Sequence, residues 1–410
     1  MTPIWILFIC RAVLVAGFAL SFPFLALYLN HERGISMGWI GVFVAVNMLG
    51  RALGQLWGGR LADAYGRKRV MVSALFGRGI LIFGSAWLIF ERAPLMPIVG
   101  SHILHSFVGS FFEPASMAWV SDIYKSHERS SAYSFLRVAA NIGWAVGPAL
   151  GGILASHSYA AAFLATSALT LLCGALLYGW LEETPPSAAR TQAAGAHTPR
   201  LGAILADERV FRCCLHLALL SAAMAQIIVT FSVHCVRFVG LSEFQVGLLF
   251  SINGLWVVCL QYWMTQKLIK FRLTGLMGIG CLILAVGFGM ISLAHTFGWL
   301  AAAVSVYTLG EILVAPSQTA LVANMAPLHE RGRYLGAAGL AQQVGGAAGP
   351  LLGGLALEAL GPRWPGGLWV IAGAACLLSA WQFERFKAQL TPAEDGLGFP
   401  LPVRQGEGAA

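Results

Sequence analysis

An isolated carboxylic acid within an apolar stretch is the residue best suited to chemistry in this sequence. Glu311 lies near the middle of a long apolar run and has no Lys or Arg within ten residues on either side. Burial in an apolar surrounding disfavours the charged form of a carboxyl, so this group could bind and release a proton as its surroundings change. The other interpretation is a structural acid held by hydrogen bonds, and the sequence leaves both open.

A polar stripe in an earlier apolar run provides two further candidates for proton binding. Its members are spaced so that they share one helix face, namely His102, His105, Gly109, Glu113 and Ser116. Such a stripe is costly in a membrane and should face a watery cavity or a polar partner. We therefore take Glu113 and His105 as candidates, since histidine titrates near neutral pH. A histidine that only packs is the alternative.

Four arginines also fall inside apolar runs at similar predicted depths, namely Arg11, Arg51, Arg78 and Arg137. Glu113 lies at a comparable depth, and the sequence predicts an ion pair between Glu113 and Arg137. One interpretation is a set of structural pairs and side chains that extend to the interface. The other is a positive cavity that attracts organic anions.

Other polar side chains within the apolar runs could line a central cavity. The candidates are Arg11, Asn47, Arg51, Arg137, Asn141, Gln226, Asn253, Gln261 and Gln342, with the aromatic residues Trp144 and Trp256.

The elements that position these residues must be membrane helices. The chain has 410 residues, of which 58% are hydrophobic and 11% are charged. Twelve membrane helices of about 20 residues would use roughly 240 residues, close to the hydrophobic total. This composition excludes a soluble enzyme, a coiled coil and a disordered chain. The apolar runs predict twelve spans at about 4–28, 39–59, 70–90, 97–119, 133–155, 160–180, 211–234, 244–265, 274–296, 299–322, 334–356 and 366–383.

The spans divide into two similar halves. A polar stretch separates the sixth and seventh spans, which predicts a six-helix bundle at 1–180, a cytoplasmic linker at 181–210, a second bundle at 211–387 and a flexible tail at 388–410. Residues recur at offsets of 202 and 206, and the matched pairs are Pro114 with Pro316, Gly143 with Gly345, Gly147 with Gly349, Pro148 with Pro350, Gly151 with Gly353, Gly152 with Gly354, Gly41 with Gly247, Asn47 with Asn253, and Gln55 with Gln261. A parallel repeat of this kind predicts a binding site near the midplane, between the halves.

The distribution of Lys and Arg predicts the orientation in the membrane. If the N-terminus is cytoplasmic, seventeen Lys and Arg lie on the inner side and only Arg33, Arg92, Arg237 and Arg363 lie outside. By the positive-inside rule, both termini are expected in the cytoplasm.

Signatures of catalysis and of tightly bound groups are missing from the sequence. It has no Walker loop and no H-E-x-x-H, C-x-x-C or G-x-S-x-G pattern, and its basic residues form no nucleic-acid stripe. We therefore expect neither an enzyme nor a metal site, and no cofactor or nucleic-acid partner.

The loop after the second span has a specific pattern. It reads G-R-L-A-D-A-Y-G-R-K-R, with Gly59, Asp63, Gly66, Arg67, Lys68 and Arg69 at the defining positions. With the twelve spans and the repeat, it resembles the signature loop of the major facilitator superfamily. The resemblance implies that this loop latches the halves together in the outward-facing state. The second half, Gln266 to Arg272, keeps the charge but lacks the Gly and Asp pattern, so any latch should depend on the first copy.

The fifth and eleventh spans carry a repeated glycine and proline motif. Its residues are Gly143, Gly147, Pro148, Gly151 and Gly152, and in the second copy Gly345, Gly349, Pro350 and Gly353. Glycines four residues apart let another helix approach closely, so pure helix packing is one interpretation. The motif also resembles that of the exporting antiporters of the superfamily, which favours efflux over uptake.

The resemblance implies an all-α integral membrane protein of the major facilitator fold, with twelve transmembrane helices in two pseudo-symmetric six-helix bundles. We expect a proton-coupled exporter of small amphipathic compounds or drugs, resident in the cell inner membrane and similar to the twelve-helix drug:proton antiporters. The proton gradient would supply the energy, and one chain would work as a monomer. The alternative is a proton-coupled transporter of a metabolite such as an organic anion. A membrane enzyme or a sensor on the same scaffold is a third and weaker interpretation.

Overall fold

A computed structural model describes residues 3–124, 126–183, 207–268, 270–327 and 331–397. Its first half comprises α1 (Pro3–Leu27), α2 (Met37–Tyr65), α3 (Arg67–Phe90), α4 (Leu95–Gly109), α5 (Phe112–Ile123), α6 (Ser126–His157) and α7 (Tyr159–Trp180). Its second half comprises α8 (Glu208–Met224), α9 (Thr230–Arg237), α10 (Glu243–Leu268), α11 (Leu273–Ser292), α12 (Phe297–Met325), α13 (Arg331–Leu360) and α14 (Gly367–Phe386). The described residues contain no β-strand, and all twelve predicted spans are helical.

Eleven helical segments of the described chain are long and apolar enough to cross a membrane. The remaining predicted span, the eleventh, corresponds to α13 and falls outside that set. It is rich in glycine, which contributes little hydrophobicity but allows close packing.

Two of the spans are interrupted, and this corrects the prediction of one continuous polar face in the fourth span. Ser110 and Phe111 separate α4 from α5. Pro114 lies in the first turn of α5 and has no N–H to donate to the carbonyl group of Ser110. In the seventh span, a short 3-10 turn at Ala225–Ile227 follows α8 and precedes α9.

Within each half, the glycine motif packs against the first helix. An ideal Cβ on Gly143 or Gly147 would lie 2.5 Å from the carbonyl oxygen of Ala12 or Ala16 on α1. Gly345 and its neighbours on α13 meet α8 in the same way. Each glycine therefore provides the space in which two helix backbones touch.

The opposite face of the same motif joins the two halves. An ideal Cβ on Gly41 of α2 would lie 2.6 Å from the carbonyl oxygen of Pro350 on α13. The matching residue Gly247 of α10 contacts the carbonyl oxygen of Pro148 on α6. The repeat in the sequence thus becomes a pair of equivalent contacts between the bundles, which we call the outer seal.

The outer seal lies at one end of the protein, and two hydrogen bonds extend it there. The backbone N–H of Gly38 donates to Glu358 Oε2 at 3.0 Å. The hydroxyl of Tyr159 donates to Glu243 Oε1, also at 3.0 Å. Both bonds join one half to the other.

The halves separate toward the opposite end, which carries the loop from Gly59 to Arg69. The later turns of α12 and the early turns of α13 line a cavity between the bundles on this side, at Ala315, Gln318, Gly339 and Gln342. We call this the inner end, since the sequence predicts it to be cytoplasmic. The structure is therefore closed at the outer end and open toward the inner end.

The loop at the inner end is held by its own half. Gly66 has a φ of +100°, which glycine adopts readily, and this turn places Arg67 in the interior with 1% of its surface exposed. The guanidinium of Arg67 contacts Asp63 at 2.8 Å, Asp122 at 3.0 Å and the carbonyl oxygen of Ala62 at 2.5 Å. These bonds join α2, α3 and α5, and none of them reaches the second half.

Equivalent acids cap the third helix of each half. Glu183, just after α7, accepts hydrogen bonds from the backbone N–H groups of Lys68 and Arg69 at 3.0 and 3.1 Å. Asp395, after α14, accepts from the N–H and the hydroxyl of Thr274 at 2.8 and 2.9 Å. A carboxylate at a helix N-terminus satisfies exposed N–H groups and favours the helix dipole.

The cap formed by Asp395 corrects the prediction of a flexible tail that begins at residue 388. Asp395 is 1% exposed, and Glu394 forms an ion pair with Arg209 at 3.3 Å. The first part of the tail therefore packs on the inner end of the second half. Residues 398–410 and most of the predicted linker, 184–206, lie outside the described residues.

Candidate functional site

A cavity of about 560 Å³ lies between the two halves, as the repeat predicts. The second half provides most of its wall, including Asn253 on α10, Tyr307 and Glu311 on α12 and Gln342 on α13. The first half contributes fewer residues, among them Asn141 and Trp144 on α6 and Met48 on α2. The cavity has space for a small organic molecule.

Glu311 lies on the cavity wall and is held by one polar neighbour. The amide Nδ2 of Asn253 donates to Glu311 Oε2 at 2.9 Å and to the hydroxyl oxygen of Thr308 at 2.8 Å. The hydroxyl of Thr308 in turn donates to the carbonyl oxygen of Val304 at 2.7 Å, which orients it as an acceptor toward Asn253. No ion pair of Glu311 is found in the described part of the chain. The carboxyl is thus both accessible from the cavity and free of a neutralising cation.

Four of the predicted cavity residues line the cavity, namely Asn141, Trp144, Asn253 and Gln342. Two of the others have structural contacts instead. Gln226 is 5% exposed and donates to the carbonyl oxygen of Gly349 at 2.6 Å, so it fixes α8 to α13. Gln261 donates to the carbonyl oxygen of Ile312 at 3.3 Å.

Trp256 also lies outside the cavity wall. Its indole N–H donates to the hydroxyl oxygen of Ser305 at 2.9 Å.

The predicted pair between Glu113 and Arg137 is wrong. Glu113 forms an ion pair with Arg11 on α1. Arg137 is exposed and has no ion pair among the described residues. Because α4 and α5 are separated by a break, Glu113 does not have the orientation that a continuous helix would give it. Its partner lies on α1 instead of α6.

His105 does not reach the cavity. It is 5% exposed, and its Nε2 lies 2.9 Å from Nδ1 of His102, so that one ring donates to the other. Aromatic rings surround the pair, with the ring of Phe43 centred 5.3 Å from that of His102. The structure therefore buries His105 within the first half.

The remaining predicted residues form a polar cluster in the first half, beside the cavity. The guanidinium of Arg51 lies over the ring of Phe18 at 5.1 Å, and that ring contacts Trp144 of the cavity wall at 6.0 Å. Asn47 is 1% exposed, and neither its amide nitrogen nor its amide oxygen has a hydrogen-bond partner in the described structure. We call Asn47, Arg51, Arg78 and the two histidines the first-half polar cluster.

Sequence reasoning missed the residues that close the outer end. Glu243 and Glu358 bond across the halves, as described above, but each lies at a helix end where an acid has no distinctive pattern. Met48 of the cavity wall was also missed, because a methionine in an apolar run gives no signal.

No group of three or more His, Cys, Asp or Glu in the described ranges is arranged to hold a metal ion.

The sequence matches the family profile of the Major Facilitator Superfamily over residues 7–350 and again over 270–403. Among its relatives is a "Na(+), Li(+), K(+)/H(+) antiporter" of Planococcus maritimus, 28% identical over 82% of this chain and 85% of the relative. Another is the "Multidrug resistance protein MdtH" of Klebsiella pneumoniae, 25% identical over 93% of this chain and 94% of the relative.

Solved structures share the fold at low sequence identity. A bacterial homologue of the human lysosomal transporter Spinster, in an inward-facing and occupied conformation, superposes with a TM-score of 0.77 and 12% identity over 94% of this chain and 96% of that one. A D-xylose–proton symporter superposes with a TM-score of 0.75 and 18% identity over 97% and 99%. Together with the match over most of the sequence, the twelve spans and the repeated halves, these likenesses lead to one conclusion: this chain belongs to the major facilitator superfamily and is a membrane transporter, not an enzyme.

Proposed function

We propose that the protein exports small amphipathic compounds in exchange for protons, with Glu311 as the proton-binding group. The observation that carries this proposal is the position of Glu311, whose carboxyl lies on the wall of the central cavity with Asn253 as its hydrogen-bond donor. A carboxyl at such a place can hold a proton in one state and release it in another. Two names among the relatives, an antiporter and a multidrug resistance protein, also favour exchange and export.

The two halves would rock about the cavity to open it alternately inward and outward. In the inward-open state, Glu311 borders the cavity that leads to the inner end. When the halves tilt, the outer seal of Gly41 and Gly247 must part, and the same carboxyl would then meet the outer side. A difference in proton affinity between the two states is sufficient to couple the movements of proton and substrate.

The loop from Gly59 to Arg69 would act as the latch of the outward-facing state. In the inward-open structure, its bonds remain within the first half. The proposal therefore requires the loop to gain contacts with the second half when the inner end closes. The protein would work as a monomer in the cell inner membrane, with both termini in the cytoplasm and the proton gradient as its energy source.

Proton movement in proteoliposomes tests the proposal. Lipophilic cations and then organic anions are added to the wild-type protein and to Glu311→Gln, which keeps the shape of the side chain and removes its charge. We expect substrate to release protons with the wild type and not with the variant, while membrane insertion stays unchanged. Glu91→Gln, at an exposed acid in a loop of the outer end, is the matched control and should behave as the wild type. Full coupled transport by Glu311→Gln would refute the assignment.

A second candidate function is proton-coupled transport of a metabolite that carries negative charge. The observation that favours it is the excess of arginine in the first half: among the described residues, Arg11 forms an ion pair with Glu113, whereas Arg51 and Arg78 form none. In the same experiment, proton movement with organic anions in the direction of the substrate would support this candidate over drug export.

A further inference from the structure

The two halves can be compared position by position at the site of Glu311. The offset of 206 that relates Asn47 to Asn253 holds for the second helix of each half, since α2 begins at Met37 and α10 at Glu243. The offset of 202 that relates Pro114 to Pro316 holds for the fourth span. Glu311 then corresponds to Gly109.

A contact confirms that these offsets describe equivalent places in the structure. Gly50 of α2 lies against Ile103 of α4, with 3.7 Å between an ideal Cβ and Cγ2. The counterpart of Gly50 at the offset of 206 is Trp256, and the counterpart of Ile103 at the offset of 202 is Ser305. These two residues share a hydrogen bond of 2.9 Å between α10 and α12.

The first half has a guanidinium where the second half has a carboxylate. Gly109 has no side chain, and the side chain of Arg78 lies across it, with Nε 2.9 Å from an ideal Cβ. The offset of 206 also holds for the third span, since α3 begins at Arg67 and α11 at Leu273. Leu284 is then the counterpart of Arg78, and Val257 is the counterpart of Arg51. Two positions that are apolar in the second half are therefore cationic in the first.

The amide of Asn47 has no partner, unlike that of Asn253. Asn253 donates to the carboxylate of Glu311, whereas both polar atoms of the Asn47 side chain are buried without a hydrogen bond in the described structure. Arg78 Nε is likewise buried and unpartnered. Buried polar groups are normally hydrogen-bonded, so this arrangement indicates a place made for a polar ligand.

The positive charge of the cluster indicates that this ligand is negatively charged. Arg11 is neutralised by Glu113, but no carboxylate pairs with Arg51 or Arg78 in the described ranges, which leaves a formal charge of +2. The histidines offer no compensation. Whichever ring donates in the His102 and His105 pair, one N–H donor and one ring acceptor are left unpaired.

We propose that the first-half polar cluster, in the region equivalent to the surroundings of Glu311 in the second half, binds the carboxylate group of the transported compound beside the Arg78 side chain. Asn47 would donate to this carboxylate as Asn253 donates to Glu311, and the guanidiniums of Arg51 and Arg78 would neutralise it. Planar guanidinium groups match carboxylate geometry. Arg51 is partly exposed and stacks on Phe18, whose ring contacts Trp144 of the cavity wall, so in the proposed site it would be the arginine nearest the cavity.

This inference rests on the proposed transport function and narrows its substrates to amphipathic compounds with a carboxylate. The cavity lined by Trp144, Tyr307 and Met48 would hold the apolar part. The substrate carboxylate and the proton would thus bind in equivalent regions of opposite halves.

Binding to the purified full-length protein in detergent tests the inference without a proton gradient. The probes are benzoate and benzamide, which have similar shape and differ in charge, and the measurement is isothermal titration calorimetry. We expect benzoate to bind saturably and benzamide to bind at least tenfold more weakly. Equal binding of the two, or inorganic phosphate bound as tightly as benzoate, would overturn the assignment to carboxylates.

Variants that give the first half the residues of the second locate the site. Arg78→Leu and Arg51→Val should each weaken benzoate binding at least tenfold. Replacing a buried charged group by a similar apolar one is often tolerated, so these proteins should fold. Asn47→Leu, with an expected loss of several-fold, provides a second test if either arginine variant is not monodisperse. Arg137→Leu removes an exposed arginine and should bind benzoate as the wild type does.

Two outcomes separate this inference from the proposed function. Glu311→Gln should lose coupled transport and keep benzoate binding. If Arg78→Leu, Arg51→Val and Arg137→Leu all bind benzoate like the wild type, the carboxylate site is refuted, whereas the proton role of Glu311 is unaffected.

Discussion

The two halves of this transporter share their packing and differ in their charge. Gly41 against Pro350 and Gly247 against Pro148 are equivalent contacts, built from the same residue types at the same offsets. At the centre of each half, the similarity ends. Asn253 meets the carboxylate of Glu311, whereas Asn47 has no hydrogen-bond partner and the guanidinium of Arg78 crosses Gly109.

This difference indicates that the two kinds of position serve different needs. The outer seal must close in register on both sides of the pseudo-twofold axis, so both copies require glycine and proline. The centres of the two halves must instead bind two different ligands, a proton and a substrate. Equivalent positions there can therefore carry opposite charges. The following experiments challenge that contrast.

The outer seal should be equally sensitive in both halves. In Gly41→Ala, the new methyl group would lie 2.6 Å from Pro350 O and 2.7 Å from Leu351 Cα, which are backbone atoms that cannot move independently. We expect Gly41→Ala and Gly247→Ala each to reduce transport in proteoliposomes at least tenfold, because the outer end can no longer close.

Gly50→Ala on the same helix is the control for the seal, since its new methyl group would meet only Ile103 at 3.7 Å. It should transport normally. A large loss in one seal variant and none in the other would contradict the equivalence of the halves.

Substitution of Glu113 should affect the stability of the protein, whereas substitution of Glu311 should affect the coupling of protons to transport. Glu113→Gln leaves Arg11 without its ion pair, and we expect a loss of about 1.5–3 kcal/mol in stability, the range for a hydrogen bond to a charged group. Proton release per substrate should remain. Thermal unfolding in detergent and proteoliposome measurements give the two readouts, and loss of coupling at normal stability would reverse the assignment.

Substitutions of the two equivalent asparagines, Asn47 and Asn253, should affect the pH dependence of transport differently. Asn253→Leu removes the donor to Glu311 and should change the proton dependence of transport, with an effect of about tenfold, or roughly 1.4 kcal/mol. Asn47→Leu should leave that dependence unchanged. The measurement is transport rate against pH for both variants, and matching curves would show that the contrast between the halves is not functional.

The helix caps should give the smallest effects. Glu183→Gln keeps a hydrogen-bond acceptor but removes the charge at the start of α3, which costs about 0.3–1 kcal/mol. Asp395 caps α11 from a buried position, so Asp395→Asn should lower the free energy of unfolding by up to about 2 kcal/mol. Thermal unfolding of the purified variants checks both values, and transport should change little. A strong transport defect at unchanged stability would assign these acids a role beyond capping.

Much of the architecture could be predicted because its signals are local. Each apolar run is long enough to cross a bilayer, and the twelve predicted spans all became helices. The repeat was visible because Pro148 and Pro350 stand in matching sequence contexts. The break in the fourth span was missed, since Pro114 can lie in a kinked helix as readily as at the start of a new one.

The candidate site could be predicted only in part. Asn141, Trp144, Asn253 and Gln342 were predicted to line the cavity and do so, and Glu311, predicted to bind a proton, also lies on its wall. Gln226 has the same side-chain type as Gln342, yet it bonds to Gly349. A glutamine within an apolar run gives the same signal whether it faces water or a neighbouring backbone.

The sequence alone determined that this is a helical membrane protein of repeated halves with an isolated acid in its second half, because hydrophobic run length, glycine spacing and the position of a lone charge can be read along the chain. Transport was implied by the resemblance of the loop from Gly59 to Arg69 to the signature of the major facilitator superfamily. Only the tertiary structure showed that Glu113 forms an ion pair with Arg11 and that His105 is buried with His102. It also showed that the side chain of Arg78 lies against Gly109, the position equivalent to Glu311. The physical reason is that each of these depends on how one helix is rotated and placed against another. Those rotations are set by contacts between segments far apart in sequence, which no local pattern records.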